Sequence, residues 1–496
     1  MIRRFVLCLS LALPGFVDAG ETPDRVLEGE IGGQDHQRYR ELPFDVPPGT
    51  RRISVEFEYT GRERKTTVDL GLLGPDGMMG RDGFRGWSGG NKRRFTVSAT
   101  DATPSYLPGP IAPGRWALLL GFPNVRPQSH DRFTARVWFD RDQSADEPLI
   151  AEPGWYRGDL HMHDAHSDGS CANQSGRRVP CPLFLTVQRA AARGLDFVAV
   201  TDHNTVSQAN GLRELQPYFD RLLLVPGREI TTFSGHGNLI GTVAPVDFRV
   251  GSDAVPDWNR LLQSAAPLGG VFSINHPIRP SDETCMGCGW TPDPPVDYAR
   301  VQAVEAVNGG DADTPYSGIP FWEKLLDAGY RVTAIGGSDN HDAALEGATP
   351  GGAEIGRPTT VVKADALSLP AILEGIRAGR VFVDVQGERK RRLEFTAGSG
   401  DARVEMGGSL PLPEGSEAAF VIGLAGVGGG RAQVVEDGRI VQELPLAADD
   451  GEQTLRFSRQ GDGRRHWLRI DVRGADGRLW LLGNPIHLNA DLPPGG

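Results

Sequence analysis

Cysteine is scarce, at five residues in 496, and positive charge is in deficit, with a formal net charge of −12. A chain of that sign lacks the basic face that phosphate backbones require, which excludes nucleic acid as the main partner. Long hydrophobic runs are lacking too. The apolar stretch from Phe5 to Val17 falls short of the roughly 20 residues that a bilayer demands, so no stable membrane insertion is expected. With Met1-Ile-Arg-Arg4 before it and Val17-Asp-Ala19 at its end, it has the parts of a secretory signal peptide, residues 1–19. A periplasmic or secreted protein is the expectation. There is no persuasive Gly-x-Ser-x-Gly nucleophile elbow. The Gly-rich stretch Gly426-Val-Gly-Gly-Gly430 lacks the Lys-Ser/Thr of a phosphate loop and reads as a turn.

Loss of Cys8 with the leader leaves Cys171, Cys181, Cys285 and Cys288. In an oxidising compartment an even count favours two disulfides, with three pairings open. A thiolate zinc site is the alternative, for which Cys285-Met-Gly-Cys288 alone is weak evidence.

Histidine is where the chain concentrates chemistry. Seven of its 11 histidines lie between His161 and His341. His161, His163, Asp168, His203, Glu229, His236, His276, Asp339 and His341 each follow an apolar run that reads as a strand, such as Phe197-Val-Ala-Val-Thr-Asp-His203 and Val271-Phe-Ser-Ile-Asn-His276. His161 and His163 are two apart, so an extended backbone projects both imidazoles to one side. A parallel barrel gathers the C-terminal ends of its strands at one mouth, which would make these remote residues neighbours. Mixed imidazole and carboxylate donors suit zinc, manganese or iron and disfavour calcium.

Length predicts about three domains. Residues 25–145 alternate short β-rich runs with turn signals, as in Arg52-Ile-Ser-Val-Glu-Phe-Glu-Tyr59, and read as an N-terminal β-sandwich. Residues 151–388 alternate strands with helix-like segments at Phe184 to Arg193, Phe321 to Ala328 and Leu369 to Ala378, each stopped by a glycine. That alternation indicates a parallel α/β domain. Residues 391–490 return to short strands and read as an immunoglobulin-like sandwich.

Asp159-Leu-His-Met-His163 with Ser167-Asp-Gly169, Thr201-Asp-His203, Gly227-Arg-Glu229, Gly235-His236, Asn275-His-Pro277 and Ser338-Asp-Asn-His341 together resemble the polymerase-and-histidinol-phosphatase (PHP) superfamily of metal-dependent phosphoesterases. Gly356-Arg-Pro-Thr-Thr360 and the flanking β-modules resemble its carbaryl-hydrolase-like branch. The resemblance implies a distorted (β/α)7 barrel holding two to three divalent ions. His161, His163, Glu229 and Asp339 would hold the first. Glu229 would bridge to a second with His236 and His276, and Asp168, His203 and His341 would hold a third. A metal-bridged hydroxide would then cleave the substrate, a small-molecule ester: a phosphate mono- or diester, or alternatively a carboxylic ester or carbamate. Arg228 and Arg279 are candidate clamps for an anion, as is Arg357, and His166 is a candidate proton donor. Asp202 and Asn308 are candidate hydrogen-bond partners of the ligands. A non-catalytic surface or sugar-binding protein is the competing class, and loss of ligands would mark it; none is lost.

Overall fold

The computed structural model describes residues 22–90, 92–141, 147–283, 285–349 and 352–491. The segment read as a signal peptide, residues 1–19, lies outside them. The chain divides into two compact units, the described residues up to Thr96 with Pro110–Arg141, and Val97–Gly109 with the described residues after Arg141.

The first unit contains two four-stranded sheets. One orders Arg25–Gly32, His130–Phe139, Arg52–Tyr59 and Arg94–Ser98, and the other Tyr39–Val46, Gly114–Asn124, Thr67–Leu73 and Phe84–Ser88. Alternation decides their buried faces: Phe133, Ala135 and Val137 are buried, whereas Arg132, Thr134 and Arg136 between them are not. Phe133 stacks on Phe57 with ring centroids 5.8 Å apart.

The second unit is mixed α/β around one large sheet. Its elements in chain order are β1 (Gly154–Asp159), α1 (Leu183–Ala192), β2 (Phe197–Val200), α2 (Ala209–Leu215), β3 (Leu223–Thr232), β4 (Gly235–Ile240), α3 (Trp258–Ala265), β5 (Val271–Ile274), β6 (Ala303–Asn308), α4 (Ile319–Asp327), β7 (Thr333–Gly337), β8 (Thr359–Ala364), α5 (Leu369–Arg377) and β9 (Val381–Asp384). The three helix-like segments of the sequence are α1, α4 and α5. Gly194, Gly329 and Gly379, just beyond them, have φ of 72°, 102° and 69°, the left-handed turn that glycine adopts without a Cβ clash.

Strand order is β7-β6-β5-β4-β3-β2-β1-β8-β9. The pairs β1/β2, β2/β3, β5/β6 and β6/β7 are parallel, and β3/β4 and β4/β5 are antiparallel. β1, β2, β3, β5, β6 and β7 therefore all run one way, and their C-terminal ends share an edge. The β3–β4 hairpin is a departure from the strand-then-ligand pattern of the sequence. β3 continues through Thr232, so Glu229 sits inside a strand and His236 at the start of its antiparallel return. The period-two pattern does not distinguish a strand that ends at Glu229 from one that turns back.

Beneath that edge, one apolar cluster draws side chains from all nine strands, including Tyr156, Phe197, Val225, Ile240, Val271, Ala303, Ile335, Val362 and Val381. β7 meets β8 through a side chain: the Thr360 hydroxyl donates to the Gly336 carbonyl at 2.7 Å and accepts from its N–H at 2.8 Å. Past β9 the sheet continues through Leu479–Gly483, His466–Arg473, Arg431–Glu436 and Arg439–Pro445. A separate four-stranded sheet orders Ala402–Glu405, Arg392–Ser399, Glu417–Ala425 and Gln453–Gln460. Of the three open pairings, the cysteines adopt Cys171–Cys181 and Cys285–Cys288.

Candidate metal centre

The segment after β1 is clamped before it carries any ligand. Buried Asp159 accepts from the N–H groups of Ser338 at 3.0 Å and Gly356 at 2.8 Å. Beyond it, Asp339 N donates to His161 O at 2.9 Å and His163 N to Asn340 O at 2.8 Å, which extends the registry of the two strand ends past β1 and β7. Met162 turns into the core, so His161 and His163 face the opposite way, buried together. His276 and Asp339 have φ of 27° and 53°, a left-handed conformation unusual for residues with a Cβ. Such strain collects at functional sites.

Glu229 is the centre of the arrangement and is buried. Its Oε1 lies 3.5 Å from His161 Nε2, 3.3 Å from His236 Nδ1 and 3.3 Å from His276 Nε2; its Oε2 lies 3.6 Å from His163 Nε2 and 2.9 Å from His203 Nδ1. Asp339 Oδ1 lies 3.4 Å from His161 Nε2 and 3.3 Å from His163 Nε2. The two imidazole nitrogens themselves are 3.1 Å apart. Bonds of about 2.0–2.1 Å to a tetrahedral ion put adjacent ligand atoms about 3.3 Å from each other. His161, His163, Glu229 and Asp339 fit that spacing, and their donor types fit a divalent transition metal. On the other side of His163, Asp168 Oδ1 is 3.3 Å from His341 Nε2 and 3.6 Å from His203 Nε2. His163, Asp168, His203 and His341 form one group able to hold an ion; His161, His163 and Asp339 form another, and His236, His276 and Cys288 a third.

Orienting groups surround the buried ligands. Glu305 Oε1 is 2.7 Å from His161 Nδ1, which turns His161 Nε2 towards Glu229. Its Oε2 accepts from His276 N at 3.1 Å and Asn308 Nδ2 at 3.0 Å. Asn275 Nδ2 donates to Glu229 Oε1 at 2.9 Å. Carboxylates and amides in this position fix imidazole orientation and raise ligand basicity. Sequence reasoning named Asn308 and missed Glu305, although a lone carboxylate in Ala303-Val-Glu-Ala-Val-Asn308, an otherwise apolar strand, is a legible signal. Asp202 accepts from Asp164 N at 3.0 Å and Ser167 Oγ at 2.6 Å, bracing the loop that carries Asp168.

The charges are mutually dependent. Burial alone would raise the Glu229 and Asp339 carboxyls, but neighbouring imidazoles, His161 foremost for both, hold them well below the usual range. Burial opposes a charge on His161, yet Glu305, Asp339 and Glu229 lift it well above its ordinary value. His163 is driven down to about 4 by burial. Burial also pulls His341 down, but its hydrogen bond to Asp168 and the nearby Asp339 charge carry it up to about 9. Carboxylates packed among imidazoles at these distances present lone pairs to a common point, an electrostatic demand that cations meet.

The four supporting candidates stand apart from these groups. Arg228 adjoins Glu229 in regular β3, so it faces away from the cluster; its Nη2 donates to Ala244 O at 2.6 Å. The expectation that it clamps substrate beside Glu229 is corrected by that alternation. Arg279 pairs with buried Asp311, so its charge is already matched. His166 is exposed, with Nδ1 2.7 Å from Ser207 Oγ. Arg357 lies 3.7 Å from Glu354.

No family model and no curated protein matches the chain. Among solved structures it is similar to a two-domain protein from Bacteroides vulgatus containing a predicted PHP-like metal-dependent phosphoesterase. Identity is 18% over 70% of this chain and 99% of that one, with a TM-score of 0.37, too low to carry weight beside the site's own geometry. No helix among the described residues is long and apolar enough to cross a membrane.

Proposed function

We propose that the chain is an exported, metal-dependent hydrolase of phosphate mono- or diesters, built on a distorted (β/α)7 barrel. The observation that carries this reading is the convergence of five imidazoles on the two oxygens of Glu229. Divalent ions, when bound, would supply acidified water and neutralise charge on the substrate. His161, His163, Glu229 and Asp339 would hold the first, Glu229 with His236 and His276 the second, and Asp168, His203 and His341 the third. Glu229 reaches all three groups, with Oε1 near His161, His236 and His276 and Oε2 near His163 and His203. Glu305 and Asn308 keep His161 and Asp339 aimed inward, and Thr231 Oγ1, 2.6 Å from His203 Nδ1, does the same for His203. His166, on the exposed loop before Asp168, is the proposed proton donor to the leaving group. Export is supported by the leader-like N-terminus and the paired cysteines.

A second reading, hydrolysis of a neutral carboxylic ester or carbamate, is favoured by the arginines: Arg228 faces away, and Arg279 is neutralised by Asp311. Manganese- or zinc-loaded protein should turn over aryl phosphates faster than aryl acetates and aryl carbamates. The reverse order would replace the first reading by the second, and no turnover of any would refute both. Mature protein recovered from an export-competent host should begin at Gly20; an intact Met1 terminus would argue against a cleaved leader.

A further inference from the structure

The Cys285–Cys288 disulfide lies beside the metal centre, and its two sulfurs have different surroundings. Cys288 is buried, whereas Cys285 is half-buried. A nitrogen of His236, a nitrogen of His276 and Cys288 Sγ all lie within 4.8 Å of one another, and Cys285 does not belong to that group. Cys288 is also tied to the site through its backbone, since its carbonyl lies 3.3 Å from His276 Nδ1. His236 is buried, and its Nε2 makes no hydrogen bond. That orphaned nitrogen is left without a protein partner that satisfies it.

We propose that this disulfide is a redox-controlled reserve ligand: reduction frees Cys288 as a thiolate that joins His236 and His276 on a divalent ion. The step requires an external dithiol. One of its thiolates attacks the more accessible Cys285 Sγ, the S–S bond breaks, and its electron pair leaves on Cys288 Sγ. The second thiol then attacks the mixed disulfide, releases Cys285 and closes the reductant's own disulfide, a balanced two-electron exchange. The direction of attack follows from exposure. The outcome follows from leaving-group stability, because the sulfur that departs is the one a cation can stabilise. Two imidazoles and one thiolate are a softer set than two imidazoles and a carboxylate, so the exchange would shift the preference of this position towards zinc. The two cysteines would thereby report the redox state of the compartment to an ion held by His236 and His276.

This inference rests on the metal-dependent reading above, and cobalt separates the two. Full-length mature protein, oxidised, should bind cobalt by elemental analysis and show no thiolate-to-cobalt charge-transfer absorption. After reduction with dithiothreitol and anaerobic desalting, that absorption should appear. C285S should show it without reduction, and C288S in neither state, which also controls for reduction of Cys171–Cys181. Absence of the band from both reduced wild type and C285S, with cobalt bound, overturns the reserve-ligand inference alone. Persistence of the full band in reduced C288S overturns it as well. Failure of the oxidised protein to bind cobalt overturns the metal reading and this inference with it. Should C285S fold poorly, reduced wild type against reduced C288S still decides the matter.

Discussion

The group of His161, His163 and Asp339 and the group of Asp168, His203 and His341 use the same residue types on the same sheet edge, yet they meet solvent differently. The His161 and His163 side chains are fully buried, whereas Asp168 is 60% and His341 35% exposed. Burial obliges the first group to find polar partners within the protein, and Glu305 supplies one to His161 and Asn308 one to Asp339. The second group is more exposed, and Thr231 holds His203 within it. On the metal-dependent reading, the same residue types would give a tightly held ion in one place and a more exchangeable, substrate-facing ion in the other.

The strongest challenge to that contrast is Glu229→Gln, because Glu229 touches both groups. It should abolish activity by more than about a hundredfold and remove bound metal measured by elemental analysis, a larger effect than losing an orienting partner alone. Retained metal and activity would dissolve the distinction. Glu305→Gln should weaken metal retention by about 10–100-fold in chelator competition, through misorientation of His161 rather than loss of a ligand. Asp168→Asn should be milder: one ion per chain becomes easily removed by dialysis while the remaining ions stay. If Asp168→Asn stripped all metal and Glu305→Gln none, the roles of the two groups would be exchanged.

The smallest effect is on stability without metal. His341 has a raised pKa of about 9 in the folded protein, where burial opposes but the Asp168 carboxylate prevails. A group with a raised folded pKa stabilises fully below its unfolded value, about 6.5, and loses that contribution as pH rises through its folded value. The thermal midpoint of metal-free protein should therefore fall between pH 6.5 and about 9, and His341→Ala should flatten part of that fall. Scanning calorimetry across this window checks it, and identical slopes in the two proteins would contradict it. Because His341 is partly exposed, solvent screening limits the size of the effect.

Much of the site was legible in the chain because metal ligands must be particular residue types and strand ends follow apolar runs. His161, His163, His203 and His276 were marked in that way, and the glycine stops of α1, α4 and α5 were equally plain. Glu305 escaped because its role depends on β6 lying beside β5 and β7, which a single strand's sequence does not state. Arg228 misled for a related reason: proximity to Glu229 along the chain is opposition across a strand.

The sequence by itself determined the ligand types, their order along the chain and the acidic, cysteine-poor composition, because these reside in covalent identity. The tertiary structure alone decided that Glu229 stands between five imidazoles, that the β3–β4 hairpin brings His236 to it, and that Cys288 rather than Cys285 lies against the histidines. Those facts depend on strand order and on which face each residue takes. Both are settled only when the apolar faces of separate strands are buried together and every buried polar atom must find its partner.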